Sequence, residues 1–321
     1  MERKLAEPGL LDGVAVDLGG PRTAAFFEKC ERHIPWKKLA DSLQGLYDEH
    51  DKGGREPWPV ILMVKCLMLQ KWFGLSDPQL EEQLRDRLSF RRFVGLSLLD
   101  NTPDETTFVR FRQRLLARGH GRTIFDAVVK HLESCGLVMN NGTLVDATMV
   151  EAPKGRKRED GTSTRDPEAS FTKKHGRTYH GYKAHVATDT RGVIKDYRFT
   201  TASVHDSQKM DELIAGEKTA VYGDSAYMNQ EREQRFRSRG IFYGIIRRRV
   251  RGQKDLDTTD RLINQLNSMT RAIVEHPFAW MKRQMKYGLA RYQGLLHNAA
   301  DFALTATAYN LKRSFSLRAA P

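Results

Sequence analysis

The stretch Arg271-Ala-Ile-Val-Glu275-His-Pro-Phe-Ala-Trp-Met-Lys282 is the one around which the rest of the chain is arranged. On a helix, at about 100° per residue, Arg271, Glu275 and Lys282 fall within roughly 40° of one another on one face. A carboxylate between two fixed cations is suited to hold a metal beside a polyanion. Pro277 requires the helix to start or kink nearby, because proline lacks the N–H and crowds the preceding turn. Two aspartates are candidates to join Glu275. Asp146 closes the apolar run Thr143-Leu-Val-Asp146, and Asp224 closes Thr219-Ala-Val-Tyr-Gly-Asp224. Each reads as an Asp at the end of a short buried strand, where carboxylates converge at the edge of an α/β sheet. Asp146, Asp224 and Glu275 together would form a carboxylate cage for hard divalent cations.

Around these residues the pattern is that of a mixed five-stranded sheet. Thr143 to Val150 is a β-rich run after the break Asn140-Asn141-Gly142. His180 to Asp189 alternates as a strand does, Arg191-Gly192 turns, and Val193 to Thr201 returns. His205-Asp206-Ser207 opens a short helix, with His205 as a helix-start contact. Thr219 to Asp224 and Ile241 to Ile246 are the fourth and fifth strands, with a helix between them. A long helix from about Asp260 carries Glu275, and His297 to Phe315 closes the chain. Residues 153–177 have almost no apolar side chains and include Lys173 and Lys174. They read as a long mobile basic loop, either ordered by DNA or a plain insertion. A second basic run begins Arg247-Arg248-Arg249.

The first part of the chain reads as helices only, from Pro21 to about residue 140, after a flexible segment 1–20. Trp58 to Phe73 is apolar on most faces and is expected at the centre of this half. Ser76-Asp-Pro-Gln79 and Thr102-Pro-Asp-Glu105 are helix starts. Between Asp77 and Arg118, short helices carry many arginines, Arg110 and Arg112 among them. That pattern fits a helix-turn-helix-like DNA reader and equally a solvated basic face.

A chain of 321 residues is long enough for two domains. Its net charge of +13 favours a polyanionic partner, with nucleic acid ahead of an acidic membrane. Cys30, Cys66 and Cys135 form no Cys-x-x-Cys pair, so neither a zinc site nor a disulfide framework is indicated, as suits a reducing cytosol. The longest apolar stretch is interrupted by Lys65, Gln70 and Lys71 and does not read as a membrane span.

Arg271-x3-Glu275-x6-Lys282 resembles the signature Tyr-x2-Arg-x3-Glu-x6-Lys of DDE transposases of bacterial insertion sequences, in the IS4/IS5 group, with Ser268 at the Tyr position. Val274-Glu-His-Pro-Phe278 with Lys282-Arg-Gln284, and the box Tyr222-Gly-Asp-Ser-Ala-Tyr227, are similar to the IS5 family, over about Phe27 to Lys312. The resemblance implies an α+β chain: an all-helical DNA-binding domain over 21–140, then an RNase H-like α/β catalytic domain over 141–321. It implies a Mg2+-dependent polynucleotidyl transferase that binds the terminal inverted repeats of its element, cleaves at the ends and joins the 3′-OH to target DNA. Two Mg2+ ions, with Mn2+ as a substitute, would be held by Asp146 between them and by Asp224 and Glu275 at one each. Arg271 and Lys282 would grip DNA phosphates. Arg247, Arg248, Arg249, Lys173, Lys174, Arg110 and Arg112 are further expected DNA contacts on their charge and position. Double-stranded DNA is the expected partner of a homodimer or larger assembly, acting in the cytoplasm at the nucleoid. The chain also fits a DNA-binding regulator descended from a transposase, and less well a stand-alone nuclease. Asp189 and Asp206 rival the two chosen aspartates.

Overall fold

The computed structural model describes residues 2–4, 20–47, 56–156, 164–174, 176–249 and 255–319. The segment 1–20 expected to be flexible lies outside these residues except at 2–4 and 20, as do residues 157–163 and 175 of the expected loop and residues 250–254 of the second basic run. Two compact units form: Met1–His131 with Ala303–Pro321, and Leu132–Phe302.

The first unit is helical: α1 (Pro21–His33), α2 (Trp36–Asp41), α3 (Val60–Phe73), α4 (Asp77–Asp86), α5 (Leu88–Val94), α6 (Glu105–Ala117) and most of α7 (Thr123–Ser134). The apolar run read as central is α3, buried from Leu62 to Trp72 and ended by Gly74 in the left-handed conformation. Ser76 and Gln79 form the expected capping box at α4, each side chain bonded to the other's backbone N–H. The second helix start is shifted by two residues. Asp104, not Thr102, caps α6 and accepts from Thr107 N at 2.7 Å. A carboxylate there also complements the helix dipole.

Residues 303–321, expected with the catalytic domain, group with the helical unit. Residues 303–318 belong to the final helix α12 (Leu295–Arg318). Trp72 Nε1 donates to Ala308 O at 2.9 Å, and Phe26 meets Phe315 edge-on with ring centroids 6.1 Å apart. An apolar stripe shows that a helix is buried but not against what.

The second unit is built on a sheet of β1 (Thr143–Glu151), β2 (Ser170–Lys174), β3 (Arg177–Thr188), β4 (Ile194–Thr201), β5 (Ala220–Gly223) and β6 (Phe242–Ile245). Its order is β2-β3-β1-β5-β6, with β4 also on β3. β1 is antiparallel to β3 and parallel to β5, and β5 is parallel to β6. The short α8 (Met210–Leu213), then α9 (Gln230–Ser238), α10 (Thr258–Arg271) and α11 (Glu275–Gln284), complete the unit with α12 as far as Phe302. Apolar residues of β1, β3, β5 and the following helices, among them Val145, Ala187, Met210, Val221 and Phe236, form one core.

Five strands were expected and six form. The sixth, β2, lies inside the segment read as a mobile loop, and it carries Lys173 and Lys174. The described part of that segment is anchored. Asp166 is buried and accepts from Tyr182 Oη at 2.5 Å and Gly294 N at 3.0 Å, while Glu168 accepts from Leu295 N at 2.7 Å. Composition registers these carboxylates as solvated charge, whereas here they cap the start of α12.

Gly181 is the point where β3 passes from β2 to β4 while still paired with β1. A Cβ there would stand 2.2 Å from Val150 O and 2.8 Å from Ala152 N, both fixed backbone atoms. Gly181→Ala should therefore lower stability by about 2–3 kcal/mol in urea unfolding. An unchanged midpoint would mean that β1 and β3 are not so close.

Candidate active site

The register of the parallel pair places the two aspartates side by side. Val145 is the last residue of β1 paired with β5, and its partner Gly223 is the last residue of β5. Asp146 and Asp224 come next on the two strands. β1 continues beside β3 alone, while the chain after Gly223 turns into a 3-10 turn over Ser225–Tyr227. Asp224 caps that turn, accepting from Ala226 N at 2.7 Å. Asp146 accepts from Ala147 N at 2.7 Å through one oxygen.

Glu275 reaches the same place from a broken helix. α10 ends at Arg271, a 3-10 turn covers Ala272–Val274, and α11 starts at Glu275. Pro277 falls in the first turn of α11, where its missing N–H has no helical partner to lose. Val274 is fully buried, and its turn packs on β1. The break puts Arg271 at the C-terminal end of one helix and Glu275 at the N-terminal end of the next, each favoured by its helix dipole. Arg271 spans two of the candidate carboxylates: Nη2 lies 2.7 Å from Glu275 Oε1 and Nη1 lies 3.5 Å from Asp146 Oδ2.

Asp146 shows the electrostatics of the cluster. Its carboxyl is pushed up to about 6, chiefly by burial, with the Asp224 and Glu275 charges adding to the rise and the Ala147 hydrogen bond and Arg271 opposing it. Asp146 thus feels Arg271, Asp224 and Glu275 together, although the Glu275 side chain itself is exposed. Lys282 is not part of the cluster: its ammonium is held below the ordinary lysine range by desolvation and by Lys174, with Glu151 opposing. Lys282 lies on α11 seven residues beyond Glu275, about two helical turns further along, and its charged neighbours are Lys174 and Glu151.

The other expected contacts divide. Arg110 is exposed on α6, and Lys173 and Lys174 are exposed on β2. Arg248 is exposed and donates to Ser225 Oγ at 2.6 Å, next to Asp224; Arg249 is exposed beyond it. Arg112 makes a two-pronged ion pair with Asp77 at 2.9 and 2.5 Å, and Arg247 pairs with Asp260 at 2.5 Å while Asn264 holds its backbone. Both arginines brace the fold in the structure. Asp189 is fully buried and accepts from Met139, Arg191 and Val193 N–H groups, which makes it a turn residue.

Sequence reasoning assigned no part to three residues behind the cluster. Tyr227 is fully buried, and its phenol is raised well above the ordinary tyrosine range by burial and by Asp146, Asp206 and Asp224. His185 is fully buried on β3 and held down to about 4, mainly by burial; Thr200 Oγ1 lies 2.9 Å from Nε2 and Asp206 Oδ1 lies 3.8 Å from Nδ1. Lys183 Nζ donates to Asp206 Oδ1 at 3.0 Å, so the rival aspartate Asp206 is engaged. The one available signal was the strand phase that Lys183, His185 and Ala187 share.

Among the described residues, no three His, Cys, Asp or Glu side chains are drawn into a group that could hold a metal. The donor chemistry itself, three hard carboxylates, suits a hard divalent cation. Arg271 is the counter-charge between two of them.

A family model described as Transposase DDE domain matches residues 139–311, more than half of the chain. A second, described as Transposase domain, matches residues 20–114. No solved structure matches the chain. The first match implies an RNase H-like fold, and with β2 set aside the element order β-β-β-α-β-α-β-α agrees. No described helix is long and apolar enough to cross a membrane.

The raised pKa of Asp146 carries a stability consequence. Unfolded, an aspartate titrates near about 3.9. Folded, this one titrates at about 6. Between those values the folded state binds more protons, so stability falls as pH rises from about 4 to 6 and the penalty is constant above. In metal-free buffer Asp146→Asn should be more stable than wild type by about 1–2 kcal/mol at neutral pH. The two should converge near pH 4 in urea unfolding. A less stable variant at neutral pH would contradict a site of crowded negative charge.

Proposed function

Because the chain belongs to the DDE transposases, enzymes that cut and transfer DNA strands, we propose that it mobilises an insertion sequence of the IS5 type. In this reading the helical unit binds the terminal inverted repeats and the sheet unit carries out the chemistry. The observation that supports it most is the parallel register Val145↔Gly223, which sets Asp146 beside Asp224, with Arg271 linking Asp146 to Glu275.

Asp146, Asp224 and Glu275 are the residues that would hold divalent metal, Mg2+ by donor chemistry, with Mn2+ able to substitute. Metal bound there activates an oxygen nucleophile and stabilises the leaving 3′ oxygen. Two reactions of the same kind follow. In the first, a water oxygen attacks the phosphorus at the transposon end, the bond to the 3′ oxygen breaks, and a 3′-OH and a 5′-phosphate result. In the second, that 3′-OH attacks a target phosphodiester; one P–O bond forms, the bond to the target's own 3′ oxygen breaks, and that oxygen ends as a hydroxyl, taking up the equivalent of the proton the attacking hydroxyl gave up. Neither step needs a covalent enzyme intermediate or an external energy source.

Arg271 has two partners available in turn. In this structure it neutralises Asp146 and Glu275. A DNA phosphate offers the same bidentate geometry, and turning toward it would release both carboxylates. Arg248 and Arg249, beside Asp224, and Lys174 with Lys282 supply further positive charge along a DNA path. The protein acts as a homodimer or larger assembly, since an element has two ends, and it works in the cytoplasm at the nucleoid.

The test is strand cleavage and joining on DNA carrying the element's own ends, in Mg2+ or EDTA. Wild type should cut and join in Mg2+ only. Asp146→Asn, Asp224→Asn and Glu275→Gln should each bind the ends yet lose at least about 100-fold in both reactions. Tight binding with no cutting in any divalent metal would instead identify a DNA-binding regulator.

A further inference from the structure

The helical unit presents one helix as a rigid, outward-facing rod. α6 is fixed to α4 at two points. Arg112 turns inward to its ion pair with Asp77, whose carboxylate also accepts from Gln70 Nε2 at 2.6 Å. At the start of α6, Glu105 N donates to the Glu81 carboxylate of α4 at 2.7 Å. The Asp104 cap accepts from Thr107 N and from Thr106 Oγ1 at 2.9 Å. Phe108, Phe111 and Leu115 are buried on the inner side of α6.

The opposite side has a different composition. At about 100° per residue, Thr106, Arg110, Gln113 and Ala117 fall within roughly 60° of one another, pointing away from the three buried apolar residues. All four are exposed. The two at the ends are short and the two in the middle are long, polar and able to make paired hydrogen bonds. From Glu105 to Arg118 the chain carries four arginines, Arg110, Arg112, Arg114 and Arg118, and one acid, Glu105. A helix with small ends and a cationic, hydrogen-bonding middle fits a DNA groove. The major groove, about 12 Å wide, admits one α-helix.

We propose that this face of α6 reads the base sequence of the element's ends, with Arg110 and Gln113 as the specificity-determining residues. Arginine matches the O6 and N7 acceptors of guanine, and glutamine matches the N6 donor and N7 acceptor of adenine. Arg112, two residues from Arg110, is excluded from that role because its guanidinium is held by Asp77. The clamp on α4 serves the same end, since a reading helix fixed before binding loses little freedom on docking. The inference rests on the end-binding function proposed above.

The experiment compares full-length wild type with Arg110→Lys, Arg110→Ala and Gln113→Ala. Binding is measured by fluorescence anisotropy on two duplexes of equal length, one carrying the element's end and one a scramble of it. Circular dichroism confirms that each variant is folded. Wild type should prefer its end. Gln113→Ala and Arg110→Lys should each reduce that preference about tenfold while binding the scramble as wild type does, because neither changes the charge. Arg110→Ala should also weaken binding to the scramble and flatten the salt dependence. If wild type prefers its end and Gln113→Ala and Arg110→Lys keep that preference, α6 is not the reading helix and the proposal is overturned, while end binding stands. If wild type shows no preference between the duplexes, end binding by this chain is itself overturned and the role of α6 with it.

Discussion

The parallel pairing of β1 with β5 stops at Val145↔Gly223, and the candidate site depends on where it stops. Two strands in parallel register deliver their next residues to the same level. Here those residues are Asp146 and Asp224. One further pair would have tied the two aspartates to each other across β1 and β5, on the same face of the sheet, while Asp146 in either case stays paired with Val186 of β3. Instead the strands part, β5 gives way to a tight turn, and both carboxylates are left at the opening. Crowding like charge in a half-dry place is unfavourable, which the raised pKa of Asp146 expresses.

That cost is offset locally. Arg271 comes from the far end of α10 and reaches both Asp146 and Glu275, the latter four residues along the chain. Lys282 belongs with Lys174 and Glu151. The proline two residues after Glu275 is the covalent cause of the break between α10 and α11.

Much of this was legible in the sequence for identifiable reasons. Asp146 and Asp224 stood out because each follows a short apolar run; Asp224 does follow the last residue of β5, whereas Asp146, expected at a strand end, is the fourth residue of the nine-residue β1, where only its pairing with β5 has stopped. The break near Pro277 followed from proline chemistry, and the capping box at Ser76 from the Ser and Gln spacing. What was not legible depends on partners distant in sequence. β2 is a polar edge strand, Ser-Phe-Thr-Lys-Lys, with no alternation to announce it. The anchoring of its approach rests on Asp166 and Glu168, which meet backbone N–H groups more than 120 residues away, at Gly294 and Leu295. Arg112 and Arg247 looked like DNA contacts because charge counts do not show that Asp77 and Asp260 hold them. The assignment of residues 303–321 turned on Trp72 and Phe26, far back in the chain.

Asp146, Asp224 and Glu275 are proposed to form one divalent-cation centre. Direct Mn2+ binding tests it without requiring turnover: electron paramagnetic resonance titration of the full chain, alone and with DNA carrying the element's end. The account predicts saturable Mn2+ binding that Asp146→Asn abolishes and that Asp224→Asn and Glu275→Gln each weaken. It also predicts tighter binding with DNA present, as Arg271 turns to phosphate. Mn2+ binding that is unchanged in all three variants would contradict the account, because the metal would then be held elsewhere.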